Sequence, residues 1–236
     1  MPVKARGRGR VKLFLARAGG ILRHQGLGSF LGRALRRALR PVLRVDRVLF
    51  FITDLSMALP RIQARIPVEI RMATQEDFDA FAATFERMGV EAGELQERRD
   101  RGDVAFLALV DGRLVHSQWI TFEAPWVSEI GVRLALGPRE VCGYGAATLP
   151  EWRGHAIHPA VSLAIREYER GRGFVRHINW VWKSNFEGAR GTEKLGIPAR
   201  TVWSVWVLGM PRPLAIGVAR SGSPEFAPPR ESDQEA

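Results

Sequence analysis

Residues 149–158, Leu-Pro-Glu-Trp-Arg-Gly-His-Ala-Ile-His, set a cation and a glycine between a β-prone run and a run of helix formers. Pro150 ends ladder pairing for the strand expected over 141–149, and good helix formers follow from Ala156 to Arg170. A strand that turns straight into a helix leaves the first helical N–H groups unpaired, and these amides with the helix dipole attract an anion such as a pyrophosphate. Gly154 allows close backbone approach, and Arg153 adds a charge-assisted contact to phosphate. The same residues also serve an ordinary strand-to-helix turn.

A second segment, Asn185 to Ile197, reads Asn, a short helix, then Lys194-Leu195-Gly196-Ile197. Together the two segments resemble the acyl-CoA-binding core of the GNAT superfamily of N-acyltransferases. Its first signature is Arg or Gln, two residues, Gly, one residue, Gly or Ala, on which Arg153, Ala156 and His158 fall. Ala156 stands where glycine is usual and His158 where a small residue is usual. The resemblance implies an α+β fold for residues 66–209, a mixed and mostly antiparallel sheet flanked by helices. It also implies transfer of an acyl group, in the first instance acetyl from acetyl-CoA or another acyl-CoA, to an amine acceptor. Under it the cofactor is held by Arg153, Gly154, His155, Ala156, Ile157, His158 and Asn185. Ala147, Thr148 and Leu149 line the acyl arm and supply a backbone N–H to its carbonyl. Many relatives carry a tyrosine acid seven residues after the asparagine, where this chain has Thr192.

Amine attack on a thioester needs a proton acceptor. Glu129 lies in the otherwise apolar run 127–132, where burial would raise its pKa; a solvent-facing strand position is the alternative. Glu151 stands beside the turn, though a carboxylate at a helix start is common for dipole reasons alone. His116 lies mid-strand before Ser117-Gln118-Trp119, and water is a further option. The five histidines show no metal-ligand spacing, so no metal is expected. Trp119 and Trp126 lie nearest the expected acceptor side and are candidates to contact a sugar or lipid.

The flanking sequence supplies the elements that position this chemistry. Residues 68–73 alternate as a strand, and Thr74-x-x-Asp77 caps a helix with Phe78, Phe81, Ala82 and Phe85 on one face. A short helix is expected over 91–101. Strands over 104–110 and 114–122 meet at Asp111-Gly112, a strong hairpin signal. Further strands are expected over 127–136, 141–149, 175–182 and 200–208, and Gly143-Tyr144-Gly145 permits a bulge or close ligand approach.

Composition bounds the rest. At 236 residues and 46% hydrophobic the chain is globular, and Cys142 excludes an internal disulfide and reads as a buried thiol. No run is long and apolar enough to span a bilayer, so a cytoplasmic protein is expected. Residues 1–65 hold 15 Lys and Arg against Asp46 and Asp54, leaving the remaining residues at a net of −3. Projected as a helix, 31–49 gathers Leu31, Ala34, Leu35, Ala38, Leu39, Val42, Val45 and Leu49 on one face and six arginines opposite, with Pro41 as a kink. Residues 1–65 therefore read as a basic amphipathic helical arm suited to the inner face of an anionic membrane, to docking on the domain itself or, less well, to nucleic acid. The arm suggests an acceptor on a cell-envelope glycan or lipid-linked precursor. Residues 210–236, rich in Pro, Ser, Gly and charge, read as a disordered tail. The alternative function is a noncatalytic GNAT-fold binding protein whose arm binds membrane or nucleic acid.

Overall fold

The computed structural model describes residues 43–127, 130–182, 197, 199–207, 214–217 and 225–227. The chain divides into two units, 46–204 with 214–236, and 1–45 with 205–213. All that follows concerns the first.

Local chemistry fixes the elements in chain order. Strands β1 (Leu43–Asp54) and β2 (Glu69–Met72) lead to a broken helix, α1 (Gln75–Ala80) and α2 (Ala82–Arg87). The capping box forms as expected: the Asp77 carboxylate accepts from the Thr74 N–H at 2.6 Å and pairs with Arg71, which holds its pKa well below the usual carboxylate range. The helix face read from the sequence is interrupted at Phe81, whose φ of −109° and ψ of 15° end α1. After α3 (Ala92–Asp100) come β3 (Val104–Val110) and β4 (Arg113–Thr121). Asp111 (φ 47°) and Gly112 (φ 74°) both take the left-handed backbone that a two-residue hairpin turn needs.

The strand expected over 127–136 is instead a hairpin, β5 (Trp126–Val127) and β6 (Val132–Ala135), turned by Gly131 at φ 62°. Then come β7 (Glu140–Thr148), a 3₁₀ turn (Pro150–Trp152), α4 (Ile157–Gly171), β8 (Arg176–Trp182) and β9 (Ala199–Val207). Two short strands, β10 (Leu214–Gly217) and β11 (Glu225–Ala227), lie in the stretch read as a tail; β11 pairs with β6, Phe226 opposite Leu134.

Residues 43–49, expected on the arm helix, belong to β1. That strand lies inside the main sheet, in the order β9-β1-β8-β7-β4-β3-β2 with β10 beyond β9, although it precedes residue 66. Residues 1–42 lie outside the described residues. The pairings between β1 and β8, β7 and β4, β4 and β3, and β3 and β2 are antiparallel; β7–β8 is parallel. The sheet is therefore mixed and mostly antiparallel, with helices on both faces. Helix α4 buries Ile157, Val161 and Ile165 against Phe106, Val115, Ile120 and Val141. On the other face Phe78, Phe85 and Leu95 of α1–α3 pack on Leu107, Leu114 and Trp119, and Val127, Ile130 and Leu134 cover Val48, Phe50 and Ile178.

Candidate functional site

The main sheet forks. The parallel ladder between β7 and β8 runs from Glu140–Arg176 to Gly143–Asn179 and stops, although β7 continues to Thr148 and β8 to Trp182. Beyond that rung β7 stays with β4, Thr148 opposite His116, while β8 stays with β1, Trp182 opposite Val48. A wedge opens between the two half-sheets, and Gly145 and Ala146 on its β7 side are exposed.

The sequence creates the wedge at a bulge. Register between β4 and β7 shifts between Ser117 and Trp119, and Gly145 there has φ of 59°. Past the bulge the Leu149 N–H donates to the Val115 carbonyl at 3.0 Å. Alternation along an antiparallel strand then turns the Thr148 amide away from β4, toward the wedge, and the Ala147 amide toward β4. Of the three expected carbonyl donors, Thr148 faces the opening, while the Leu149 amide is already engaged.

From Thr148 the chain passes through the 3₁₀ turn and Arg153-Gly154-His155-Ala156 into α4. Arg153 Nε donates to the Thr148 carbonyl at 3.3 Å, and Gly154 has φ of 84° with open space where a Cβ would stand. His155 precedes the helix, and its carbonyl accepts from the Arg65 N–H at 2.8 Å. Ala156 holds the N-cap with φ of 58°. Gly154 and Ala156 are thus both left-handed, a conformation that costs an alanine about 1 kcal/mol. Ala156→Gly is expected to raise stability by about 0.5–1 kcal/mol in urea denaturation; a loss of stability would show that the left-handed turn is absent. Ile157 and His158 present free first-turn amides, and Pro159 has none to offer. The exposed turn residues Arg153 and Gly154 thus lie in the chain between the strand edge and the helix start.

The His158 side chain turns inward, so it does not crowd that surface. Its ring lies 5.5 Å from that of His116, and burial with the Arg166 charge pushes its pKa down to about 4. His116 is fully buried, its Nδ1 2.7 Å from Thr148 Oγ1, and burial holds it well below the ordinary imidazole value. Glu151 lies on the surface, where Arg87 Nη2 contacts it at 2.7 Å; a backbone hydrogen bond and that arginine lower its pKa and weaken it as a base. Glu129, Asn185 and Thr192 lie outside the described residues. Trp119 is fully buried, stacked 5.8 Å from Phe78 with the Arg98 guanidinium over it, so it contacts no ligand. Burial pushes the Cys142 thiol well up and makes it inert. Among the described residues no cluster of His, Cys, Asp or Glu is arranged to hold a metal.

The sequence reading missed a buried pair beneath the fork. His177 on β8 and Glu169 on α4 are both fully buried, with Nδ1 2.8 and 2.9 Å from the two carboxylate oxygens. Nothing local could reveal it: a glutamate near a helix end and a histidine in a strand become partners only once α4 packs on the sheet.

No protein-family description and no curated protein matches the chain. Among solved structures, a GCN5-related N-acetyltransferase from Sphaerobacter thermophilus superposes over 80% of this chain and 59% of its own, at 15% identity and a TM-score of 0.53. An acetyltransferase from the GNAT family of Colwellia psychrerythraea superposes over 69% and 55%, at 14% identity and a TM-score of 0.50. The chain spans less than two thirds of either structure. The likeness establishes the fold.

Proposed function

We propose that this chain, a GNAT fold by architecture, is an acyl-CoA-dependent N-acyltransferase that moves an acyl group, in the simplest case acetyl from acetyl-CoA, to an amine. The observation that carries the reading is the fork, a strand edge bared past Gly143 that leads through the turn 149–156 to the start of a 15-residue helix. An edge with free backbone groups suits an extended amide-bearing arm, and a helix start suits the pyrophosphate at the other end.

Bound there, acyl-CoA supplies a thioester whose thiol, with a pKa of about 8.5, leaves as an anion. The Ile157 and His158 amides with the turn 153–156 hold the phosphates, and the Thr148 amide with the exposed β7 edge holds the arm. Leu149 closes the strand onto β4 and keeps that edge in place. Loss of a tyrosine at position 192 is tolerable, because such a leaving group needs little protonation.

Calorimetric titration of acetyl-CoA and free CoA into the full chain tests the reading. Saturable binding is expected, weakened about tenfold in Arg153→Ala, the order of one charge-assisted contact. A folded protein that binds neither ligand overturns it. Binding of CoA without transfer to any amine favours a noncatalytic binding protein.

Residues 1–42 carry eleven Lys and Arg and no Asp or Glu. This charge supports a peripheral role at an anionic surface, with an envelope-borne amine as acceptor. No helix among the described residues is long and apolar enough to cross a membrane. The full chain is expected to sediment with phosphatidylglycerol vesicles and not with phosphatidylcholine vesicles; indifference to both removes the surface role.

A further inference from the structure

From Arg61 to Ile70 every even-numbered residue is aliphatic and half-buried and every odd-numbered one exposed, the alternation of a strand, yet only Glu69 and Ile70 of this run belong to β2. The segment before them is a strap laid along α4. The Leu55 N–H donates to the Val175 carbonyl at 2.9 Å, past the end of that helix, and the Arg65 N–H to the His155 carbonyl at 2.8 Å, just before its start. The strap therefore runs antiparallel to α4. Among the described residues, 58–67 make no backbone–backbone hydrogen bond other than that of Arg65.

Between strap and helix lies an open groove of about 580 Å³. Ile62, Ile66 and Val68 line it from the strap, and Ala160, Leu163 and Ala164 from α4. An alanine reaches only one carbon from the backbone, so two of them a turn apart leave a hollow that larger side chains would fill.

The lining names the class of occupant. None of the described residues that line the groove is aromatic, so nothing there stacks on a nucleobase or another planar ring. Aliphatic walls suit a saturated hydrocarbon, for which each methylene taken from water is worth about a fourfold gain in affinity. Arg61, Gln63, Glu167 and Arg170 complete the lining, and all four are exposed. Neither arginine side chain has a partner among the described residues, and two guanidinium groups against one carboxylate leave the rim net positive. Unpaired guanidinium groups favour an anionic oxygen acid. Along the helix axis Ala160 and Arg170 lie about 15 Å apart, the reach of one extended tail. The same rim charge disfavours residues 1–42, with their eleven Lys and Arg, as the occupant.

We propose that this groove binds a single-chain anionic amphiphile, a long-chain fatty acid, with its tail along Ala160 and Ala164 and its carboxylate on Arg61 and Arg170. None of the lining residues belongs to the fork, so the inference stands whether or not the chain transfers acyl groups.

Calorimetric titration of octanoate, decanoate and dodecanoate into the full chain, below their micellar concentrations, provides the test. One molecule is expected to bind per chain, about fourfold more tightly for each added methylene. Decanol keeps the tail and loses the charge, and it is expected to bind about tenfold more weakly than decanoate. The double variant Arg61→Gln/Arg170→Gln is expected to bring decanoate to the level of decanol and to leave decanol unchanged. Ala164→Leu fills the hollow with another good helix former, and it is expected to weaken both ligands about tenfold or more. Should Ala164→Leu disturb the fold, the arginine variant still decides, because both side chains are exposed and unpaired.

Absence of saturable fatty-acid binding, equal affinity for decanoate and decanol, or binding untouched by both variants overturns the inference. Displacement of decanoate by free CoA also overturns it, since the acid would then sit in the fork. Dimerisation or vesicle contact that Ala164→Leu abolishes, in a chain that binds no fatty acid, overturns it in favour of a second copy or a bilayer. Acetyl-CoA titration, expected to be the same in wild type and both variants, keeps a failure here distinct from a failure of the acyltransfer reading.

Discussion

Stability is expected to fall as the pH drops from 6.5 to 5. His116 and His177 are fully buried and His158 half-buried, and desolvation is the first cause of each lowered pKa. The unfolded chain binds a proton at each near pH 6.5, while each folded ring binds it only at a lower pH. Over the interval the unfolded state holds more protons, so stability rises with pH and is lost as pH falls. For His158, whose folded value is about 4, the loss by pH 5 is about 2 kcal/mol, one and a half pH units at about 1.4 kcal/mol each, against a total stability of about 5–15 kcal/mol. His116 and His177 act in the same direction. His158 ceases to add near its folded value of about 4. The depressed carboxylates act in another window: the Asp77 contribution is full above about pH 4 and fades only below it. Urea midpoints followed by circular dichroism from pH 7.5 to 5 should therefore fall continuously, and His158→Leu should flatten the slope by up to one proton. A midpoint that stays level across that range would mean that these rings are not buried as neutral groups.

Gly143→Ala is expected to be the most damaging single methyl in the domain. The new Cβ would stand 2.5 Å from His177 Cε1 and 2.7 Å from Nε2, inside any permitted contact. Relief cannot come from the ring, because Glu169 pins Nδ1 and the pair is fully buried. Overpacking of this kind costs about 1–3 kcal/mol, and distortion of a buried hydrogen-bonded pair takes the expectation to the upper end. Gly154→Ala supplies the contrast, since its Cβ meets nothing within 4 Å and only its φ of 84° opposes it. That change should cost about 1 kcal/mol. Equal losses for the two glycines in denaturant titrations would refute the steric account of position 143.

Elements with local signals were legible in the sequence. Asp111-Gly112 announced its hairpin, Thr74 and Asp77 their cap, and Pro150 with the following helix formers the passage from β7 to α4. Strand β1 was misread for a physical reason. Phe50 and Phe51, neighbours in sequence, are both fully buried, so the strand shows no alternation, as happens when both faces are covered. Arginines three and four residues apart upstream then extended a helical pattern across it. Strand β11 was invisible because its partner β6 lies about ninety residues away, beyond any local rule. The wedge was half legible: Gly143-Tyr144-Gly145 signalled a bulge, but where the ladder stops depends on which strands β7 and β8 keep as partners. Glu169 and His177 carried no signal at all.

The fork also decides what shape of molecule can enter. At its closed end β7 and β8 are paired, one strand spacing of about 4.8 Å apart, and an extended chain fits between them only where they have parted to about twice that. A slender, unbranched chain slides in edgewise and takes the place a further strand would have held. A ring or a branched head is wider than a strand, so the narrow end of the fork is expected to take the slender chain alone.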